Sequence, residues 1–119
     1  MTANPYDEAC AVDPALDVLF GKWKTSILYV LFHGTKRFSE LQRNIPGITK
    51  KMLISHLRDL ENQDIIQRVV YPSVPPRVDY SLTEAGQSLE PILELMHQWG
   101  KKHEEHLKRK RSSEAATLS

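Results

Sequence analysis

The chain has 119 residues, of which 40% are hydrophobic and 26% are charged, so it can form one domain with a modest core. No apolar run approaches the roughly 18 residues that a membrane-spanning helix requires, and the acidic start does not resemble a signal peptide. The single cysteine, Cys10, excludes a disulfide within the chain and favours a cytoplasmic protein with no membrane partner.

The net charge of +1 conceals an uneven distribution along the chain. Residues 1–20 carry four Asp or Glu and no Lys or Arg, whereas residues 22–58 carry eight Lys or Arg and only one Glu. Residues 84–107 are acidic again, with five Glu and two Lys. A concentrated basic segment is expected of nucleic-acid binding, because a merely solvated surface scatters its signs.

The first 20 residues predict a flexible arm, residues 1–9, followed by a helix. Asp13 is the expected N-cap, Pro14 takes the first helical position and Gly21 ends the helix. Cys10 stands just before it, where the positive end of the helix dipole favours a thiolate. Two interpretations of Cys10 stay open, a reactive thiol and a small inert one.

The next helix, Trp23 to Phe32, has apolar residues on too many sides for one stripe, which predicts a central buried helix. His33-Gly34 ends it, and Thr35 to Arg37 is expected to be a loop. Lys36 and Arg37 in this loop, with Ser39 just after it, could hold a DNA phosphate, although basic loop residues are often only solvated.

Two short helices and a tight turn follow. Phe38, Leu41 and Ile45 give the first helix its apolar face, and Pro46-Gly47-Ile48 forms the turn. Thr49 is the expected N-cap of the second helix, which runs to Gln63 and buries a leucine stripe. The residues expected to face DNA from this helix are Thr49, Lys50, Lys51, Ser55, His56 and Arg58. Any small helical domain contains such a pair, so the pair alone does not decide the function.

A β-hairpin is predicted directly after the second helix. Ile66 to Ser73 and Arg77 to Thr83 alternate as strands, and the Val74-Pro75-Pro76 loop forms the tip. The hairpin puts Arg68 and Arg77 where they can reach the DNA backbone or the minor groove. Helix, turn, helix and hairpin together predict an α+β, mostly helical winged helix-turn-helix with a two-stranded wing.

A long last helix is predicted from Thr83, with an apolar stripe too long for the rest of the chain to cover, which indicates a homodimer. The residues expected at the dimer interface, from the first and last helices, are Leu16, Leu19, Leu89, Ile92, Leu93, Met96, Trp99 and His103. The DNA-binding and dimerising domain is expected to span residues 10–107, and residues 108–119 are expected to be a frayed basic and polar tail.

Sequence signals for an enzyme or a metal centre are weak. His103 and His106 lack the spacing of a zinc motif and a nearby cysteine pair. The sequence contains no glycine-rich phosphate loop and no nucleophile motif. We therefore expect no catalytic activity, no metal and no cofactor.

Several motifs in order resemble the HxlR-type winged-helix regulators over about residues 10–100. They are Cys10, Gly21-Lys22-Trp23, Arg37-Phe38-x-x-Leu41, Ile45 to Ile48, Leu57-Arg58-x-Leu60-Glu61 and Tyr71 to Thr83. The resemblance implies a dimeric bacterial transcription factor that binds inverted-repeat operators in double-stranded DNA. We expect a repressor, although the sequence does not distinguish a repressor from an activator. It also implies that its protomers join through the first and last helices and that Cys10 senses oxidants or electrophiles.

Two other functions remain compatible with the sequence. One is a winged helix that binds another protein through its hairpin or helix, which absent or salt-insensitive duplex binding would indicate. The other is a regulator with a small-molecule effector between its dimerisation helices, which stabilisation by a metabolite without Cys10 would indicate.

Overall fold

The computed structural model describes residues 21–118, so the predicted first helix, with Cys10, Leu16 and Leu19, lies outside the described residues. The elements are, in order, α1 (Lys22–Phe32), β1 (Lys36–Arg37), α2 (Phe38–Asn44), α3 (Lys50–Asn62), β2 (Ile66–Tyr71), β3 (Arg77–Leu82), α4 (Glu84–Gln87) and α5 (Glu90–Leu118). The chain divides after Gln87 into two compact units. Across this part of the chain, no helix is both long and apolar enough to cross a membrane.

The core of the first unit lies between α1 and α3. Ile27 and Leu28 on α1 are completely buried, and the leucine stripe of α3, at Leu53, Leu57 and Leu60, is at most 1% exposed. Burying each such side chain stabilises the fold by about 1.5–3 kcal/mol. The predicted central helix and the predicted leucine stripe are both confirmed.

Local sequence signals set the ends of α2 and α3. The hydroxyl of Thr49 accepts a hydrogen bond from the Met52 N–H at 3.1 Å, which confirms Thr49 as the N-cap of α3. Gly47, in the turn between the two helices, has φ of +87°, a conformation that side-chain-bearing residues rarely adopt. The helix-turn-helix therefore forms where the sequence predicts it.

The sheet has three antiparallel strands in the order β1-β3-β2. The predicted wing is confirmed as β2 and β3, paired from Ile66↔Leu82 to Tyr71↔Arg77. The predicted loop over Thr35 to Arg37 is wrong, because Lys36 and Arg37 form β1 and pair with Tyr80 and Asp79. The edge of β3 that faces away from β2 has backbone N–H and C=O groups that need hydrogen-bond partners. The short strand β1 pairs with part of this edge.

The continuous helix predicted from Thr83 is also wrong, since α4 and α5 are separate helices. The Thr83 hydroxyl donates to the carbonyl oxygens of Asp64, at 2.6 Å, and Ile65, at 3.0 Å, and accepts from the Gly86 N–H at 3.1 Å. These bonds hold α4 against the turn between α3 and β2, and α5 begins as a separate helix at Glu90.

Gly86 fits only as glycine at this junction. A Cβ on Gly86 would overlap the carbonyl oxygen of Ile65, a backbone atom that cannot move aside cheaply. We expect Gly86→Ala to lower the free energy of unfolding by about 3 kcal/mol. Gly100→Ala is the matched control, because nothing lies within 4 Å of its Cβ position in α5, and it should stabilise by about 0.5–1 kcal/mol. Urea unfolding of both variants measures the difference, and equal stabilities would contradict the close approach.

The second unit consists mainly of α5, which has 29 residues. The frayed tail predicted over residues 108–119 is wrong for residues 108–118, which continue the helix. Lys110 and Glu114 lie one turn apart with nitrogen and oxygen at 4.0 Å, a spacing that supports an exposed helix. The basic run Lys108 to Arg111 is thus carried on a helix and is exposed.

Candidate nucleic-acid interface

The outer face of α3 is basic. Lys51 and Ser55 lie one turn apart and are exposed, as are Lys50 and Arg58. Within residues 21–118, none of these three basic side chains has a carboxylate within ion-pair distance. Their charge is therefore not neutralised by that part of the chain and can act on an external anion.

Two other predicted reading residues differ from these. The Thr49 hydroxyl is engaged with Met52 as the helix cap, so its side chain contributes first to the start of α3. His56 is half-buried beside the leucine stripe, and its Nδ1 lies out of solvent without a hydrogen-bond partner among the described residues. This leaves Lys50, Lys51, Ser55 and Arg58 as the exposed predicted residues of α3 that are not engaged in the helix cap.

The wing arginine is held in place by a neighbour on its own strand. Nε and an Nη of Arg77 donate to the two carboxylate oxygens of Asp79 at 3.0 and 3.1 Å. Asp79 is only 6% exposed, whereas half of the Arg77 side chain is exposed. Arg77 also lies over the ring of Tyr71, with its guanidinium carbon 5.6 Å from the centroid. Hydrogen bonding to Asp79, and then its charge, raises the pKa of Arg77, so this group stays cationic.

A groove of about 810 Å³ separates the wing tip from the start of α2. Arg37, Ser39 and Arg77 all line it, so the structure brings these three predicted phosphate contacts together. The Arg37 N–H donates to the Glu40 carboxylate at 3.1 Å, which fixes the start of α2. Lys36 does not join this group, because successive strand residues point to opposite faces, and it lines a separate pocket beside Tyr29.

Arg68 lies on the other side of the wing. Its Nε is 3.4 Å from a carboxylate oxygen of Glu61, and its side chain is 51% exposed. Arg68 shares a cleft with Lys50 and Arg58, between α3 and the sheet. Sequence reasoning missed Asp79 and Glu61, although strand alternation already put Asp79 on the same face as Arg77.

The apolar stripe of α5 is largely uncovered in the single chain. Ile92, Met96 and Trp99 are 47%, 53% and 67% exposed and fall on one helix face. His103 continues this face, and its ring stacks on Trp99 with centroids 4.7 Å apart. Of the other residues predicted at the interface, Leu93 is buried, and Leu89 is half-buried in the turn before α5.

A helix-turn-helix followed by an antiparallel hairpin, with an exposed basic second helix, defines the winged helix-turn-helix class of DNA-binding proteins. The chain matches the family model of HxlR-like helix-turn-helix proteins over residues 18–108. It belongs to that family, whose named relatives are transcriptional regulators.

Three relatives show how far the similarity extends. The HTH-type transcriptional regulator YdeP of Bacillus subtilis strain 168 is 47% identical over 100 residues, which cover 84% of this chain and 78% of YdeP. The crystal structure of the HTH-type regulator ytcD has 52% identity and a TM-score of 0.74, and the match covers 78% of this chain and 95% of that one. The redox regulator HypR in its reduced form has 47% identity and a TM-score of 0.76, over 82% and 96% of the two chains.

Proposed function

We propose that this protein is a homodimeric transcriptional repressor that binds an inverted-repeat operator in double-stranded DNA. The observation that carries the proposal is the outer face of α3, where Lys50, Lys51 and Arg58 are exposed without a carboxylate partner in the described chain. An α-helix fits the major groove of B-DNA, where side chains can reach base edges. The role implies a cytoplasmic protein, as the lone cysteine also leads us to expect.

We assign different DNA contacts to α3 and to the wing on the basis of which side chains are exposed. Lys51 and Ser55 are exposed one turn apart on α3 and are proposed to meet base edges, with His56 beside them. Arg37, Ser39 and Arg77 share one groove and are proposed to hold phosphates. Because Asp79 fixes Arg77, the wing loses little side-chain freedom when it contacts DNA.

The homodimer is supported by the exposed face of α5. A face with Ile92, Met96 and Trp99 about half exposed or more is costly in water and typical of a partner surface. A second copy of the same chain would cover it through a two-fold interface and supply the second reading helix. Two such helices about one DNA turn apart, roughly 34 Å, match an inverted repeat.

Selection from a random duplex library tests this function without assuming an operator sequence. We expect enrichment of an inverted repeat whose half-sites are about one or two helical turns apart. With two cationic phosphate contacts per protomer, Arg37 and Arg77, the logarithm of the binding constant should fall with the logarithm of salt concentration at a slope of roughly −4. Binding that enriches no sequence and ignores salt would favour the protein-interaction module instead.

A response to oxidants is a second candidate function. It is favoured by the similarity to HypR, a named redox regulator that is 49% identical to this chain in the oxidised structure, over 78% of this chain. Cys10 is the one thiol of this chain and stands just ahead of the predicted first helix. With no second cysteine in the chain, its oxidation leads to a sulfenic acid, a mixed disulfide with a small thiol, or a disulfide between two subunits.

We expect diamide to lower operator affinity at least about tenfold in the parent and not in Cys10→Ser. Diamide takes two electrons and two protons from two thiols, here Cys10 and either glutathione or the partner's Cys10, and a disulfide forms. Fluorescence anisotropy with a labelled operator measures affinity, and mass spectrometry verifies the modification. A modified parent that binds like the reduced one, or a Cys10→Ser variant that still responds, would contradict the switch.

A further inference from the structure

A cleft of about 390 Å³ lies between α3 and the sheet, within the first unit of the chain. Its lining combines apolar side chains, namely Phe38, Ile54, Leu57, Val78 and Tyr80, with the charged residues Lys50, Arg58, Glu61 and Arg68. Leu57 is 1% exposed and Tyr80 is 9% exposed, so they lie deep, while Lys50 and Arg58 are exposed. The volume is within the range of about 300–1,000 Å³ for small-molecule sites.

The charges around the cleft do not cancel. Glu61 pairs with Arg68 at 3.4 Å, which accounts for one cation. Lys50 and Arg58 have no carboxylate partner in residues 21–118, so two positive charges remain beside an apolar floor. A DNA phosphate can satisfy the cations, but a sugar-phosphate chain cannot fill the apolar space between the helix and the sheet.

Tyr80 adds a neutral donor at the base of the cleft. Burial raises the pKa of its phenol, and the nearby Glu61 raises it further, so the hydroxyl keeps its proton. A phenol O–H is a good donor to a carboxylate oxygen. Arg58 and Arg68 line the same cleft as Tyr80, so two cations and this donor border one space.

We propose that this cleft binds an apolar monoanion, an aryl carboxylate of about one or two fused rings. The ring system lies on Ile54, Leu57 and Val78, between the helix and the sheet. The carboxylate forms ion pairs with Arg58 and Lys50 and accepts a hydrogen bond from the Tyr80 hydroxyl. Flat aromatic ligands suit this site because Phe38 and Tyr80 provide ring contacts.

The consequence for DNA rests on the proposed function. Lys50 and Arg58 belong both to the cleft and to the basic face of α3. A bound carboxylate therefore neutralises two cations that would otherwise attract DNA. Operator affinity should therefore fall when the cleft is filled. Bound operator should lower the affinity for the aryl carboxylate by the same factor.

Calorimetric titration of the full chain with 2-naphthoate, in the absence of DNA, tests the site itself. We expect 2-naphthoate to bind with a Kd below about 1 mM and the neutral 2-naphthylmethanol to bind at least about tenfold more weakly. Arg58→Gln should lower the affinity for 2-naphthoate about tenfold, because a hydrogen bond to a charged group is lost. Lys51→Gln removes the same charge from the same helix outside the cleft and should change binding less than about twofold.

Val78→Trp fills the space between helix and sheet and should abolish binding. If that variant unfolds, Arg58→Gln still decides, because Arg58 is exposed and its loss should leave the fold intact. No binding of 2-naphthoate up to about 1 mM, equal binding of the two probes, or unchanged binding in Arg58→Gln would overturn the proposal. Binding retained in a folded Val78→Trp would also overturn it and would point to an effector site between dimerisation helices. Since no DNA is present, failure here leaves the duplex-binding function untouched.

Discussion

Replacing Met96 and Trp99 together with Glu is expected to convert the proposed dimer to a monomer. Both side chains are more than half exposed in the single chain, one turn apart on the apolar face of α5. A two-fold interface would bring four new carboxylates into one apolar seam, and each buried unpaired charge costs several kcal/mol. Sedimentation equilibrium measures the mass, and far-UV circular dichroism verifies that the helix content is kept.

The matched control is Gln98→Glu with Lys101→Glu, on the opposite face of α5. This pair makes the chain more negative than the first variant does, and both positions are exposed. We expect it to remain dimeric, which separates burial in an interface from simple charge repulsion. A Met96 and Trp99 variant that keeps the dimer mass and the folded spectrum would show that dimerisation uses another face.

Loss of the dimer should also remove most operator binding. Each half-site contact is weak alone, and joining two of them raises affinity by about 10²–10⁴ through effective concentration. The monomer should therefore bind an operator no better than it binds a single half-site. A monomer with parental operator affinity would contradict the two-helix arrangement.

The helix-turn-helix could be predicted because its determinants are local. Thr49 caps α3 through an atom three residues away, and the leucine spacing of α3 repeats every three or four residues. Gly47 adopts a backbone conformation that only glycine adopts freely. Each signal is contained in a short stretch, so it does not depend on the partner elements.

The elements that were predicted wrongly depend on distant partners. Two residues, Lys36 and Arg37, carry no strand periodicity of their own, and they become β1 only because β3 offers an unpaired edge. α4 is held where Gly86 approaches Ile65, 21 positions earlier, a contact that no local pattern shows. The local sequence pattern at both places carries no information about these distant contacts.

The candidate site divides in the same way. Its basic residues and the apolar face of α5 are evident from composition and spacing. Their partners are not, since the support of Arg77 by Asp79, and of Arg68 by Glu61, depends on the strand register and on the packing of α3. Spacing also fails to separate the exposed residues of the apolar stripe from the buried ones. Leu93 is buried, whereas Ile92 beside it is exposed.

Lys51→Ala is expected to weaken operator binding at least about thirtyfold. Lys51 is exposed on the outer face of α3 with no carboxylate partner in the described chain, and it does not line the cleft beside the sheet. A lysine contact to a base edge contributes about 1–3 kcal/mol, and a dimer loses two of them, so the loss is about 2–6 kcal/mol. Lys102→Ala on α5, an exposed lysine outside the predicted DNA-binding residues, is the matched control and should bind like the parent.

Arg77→Ala should behave differently, because a wing arginine contacts phosphate or a degenerate groove. It should weaken operator and unrelated duplexes by a similar factor and reduce the salt slope by about 2 for the dimer, one phosphate for each protomer. Lys51→Ala should instead reduce the preference for operator over unrelated duplex. Anisotropy titrations of both variants on both duplexes, at several salt concentrations, separate the two effects. If Lys51→Ala keeps the parental preference while Arg77→Ala loses it, the wing reads the sequence and α3 only holds the backbone.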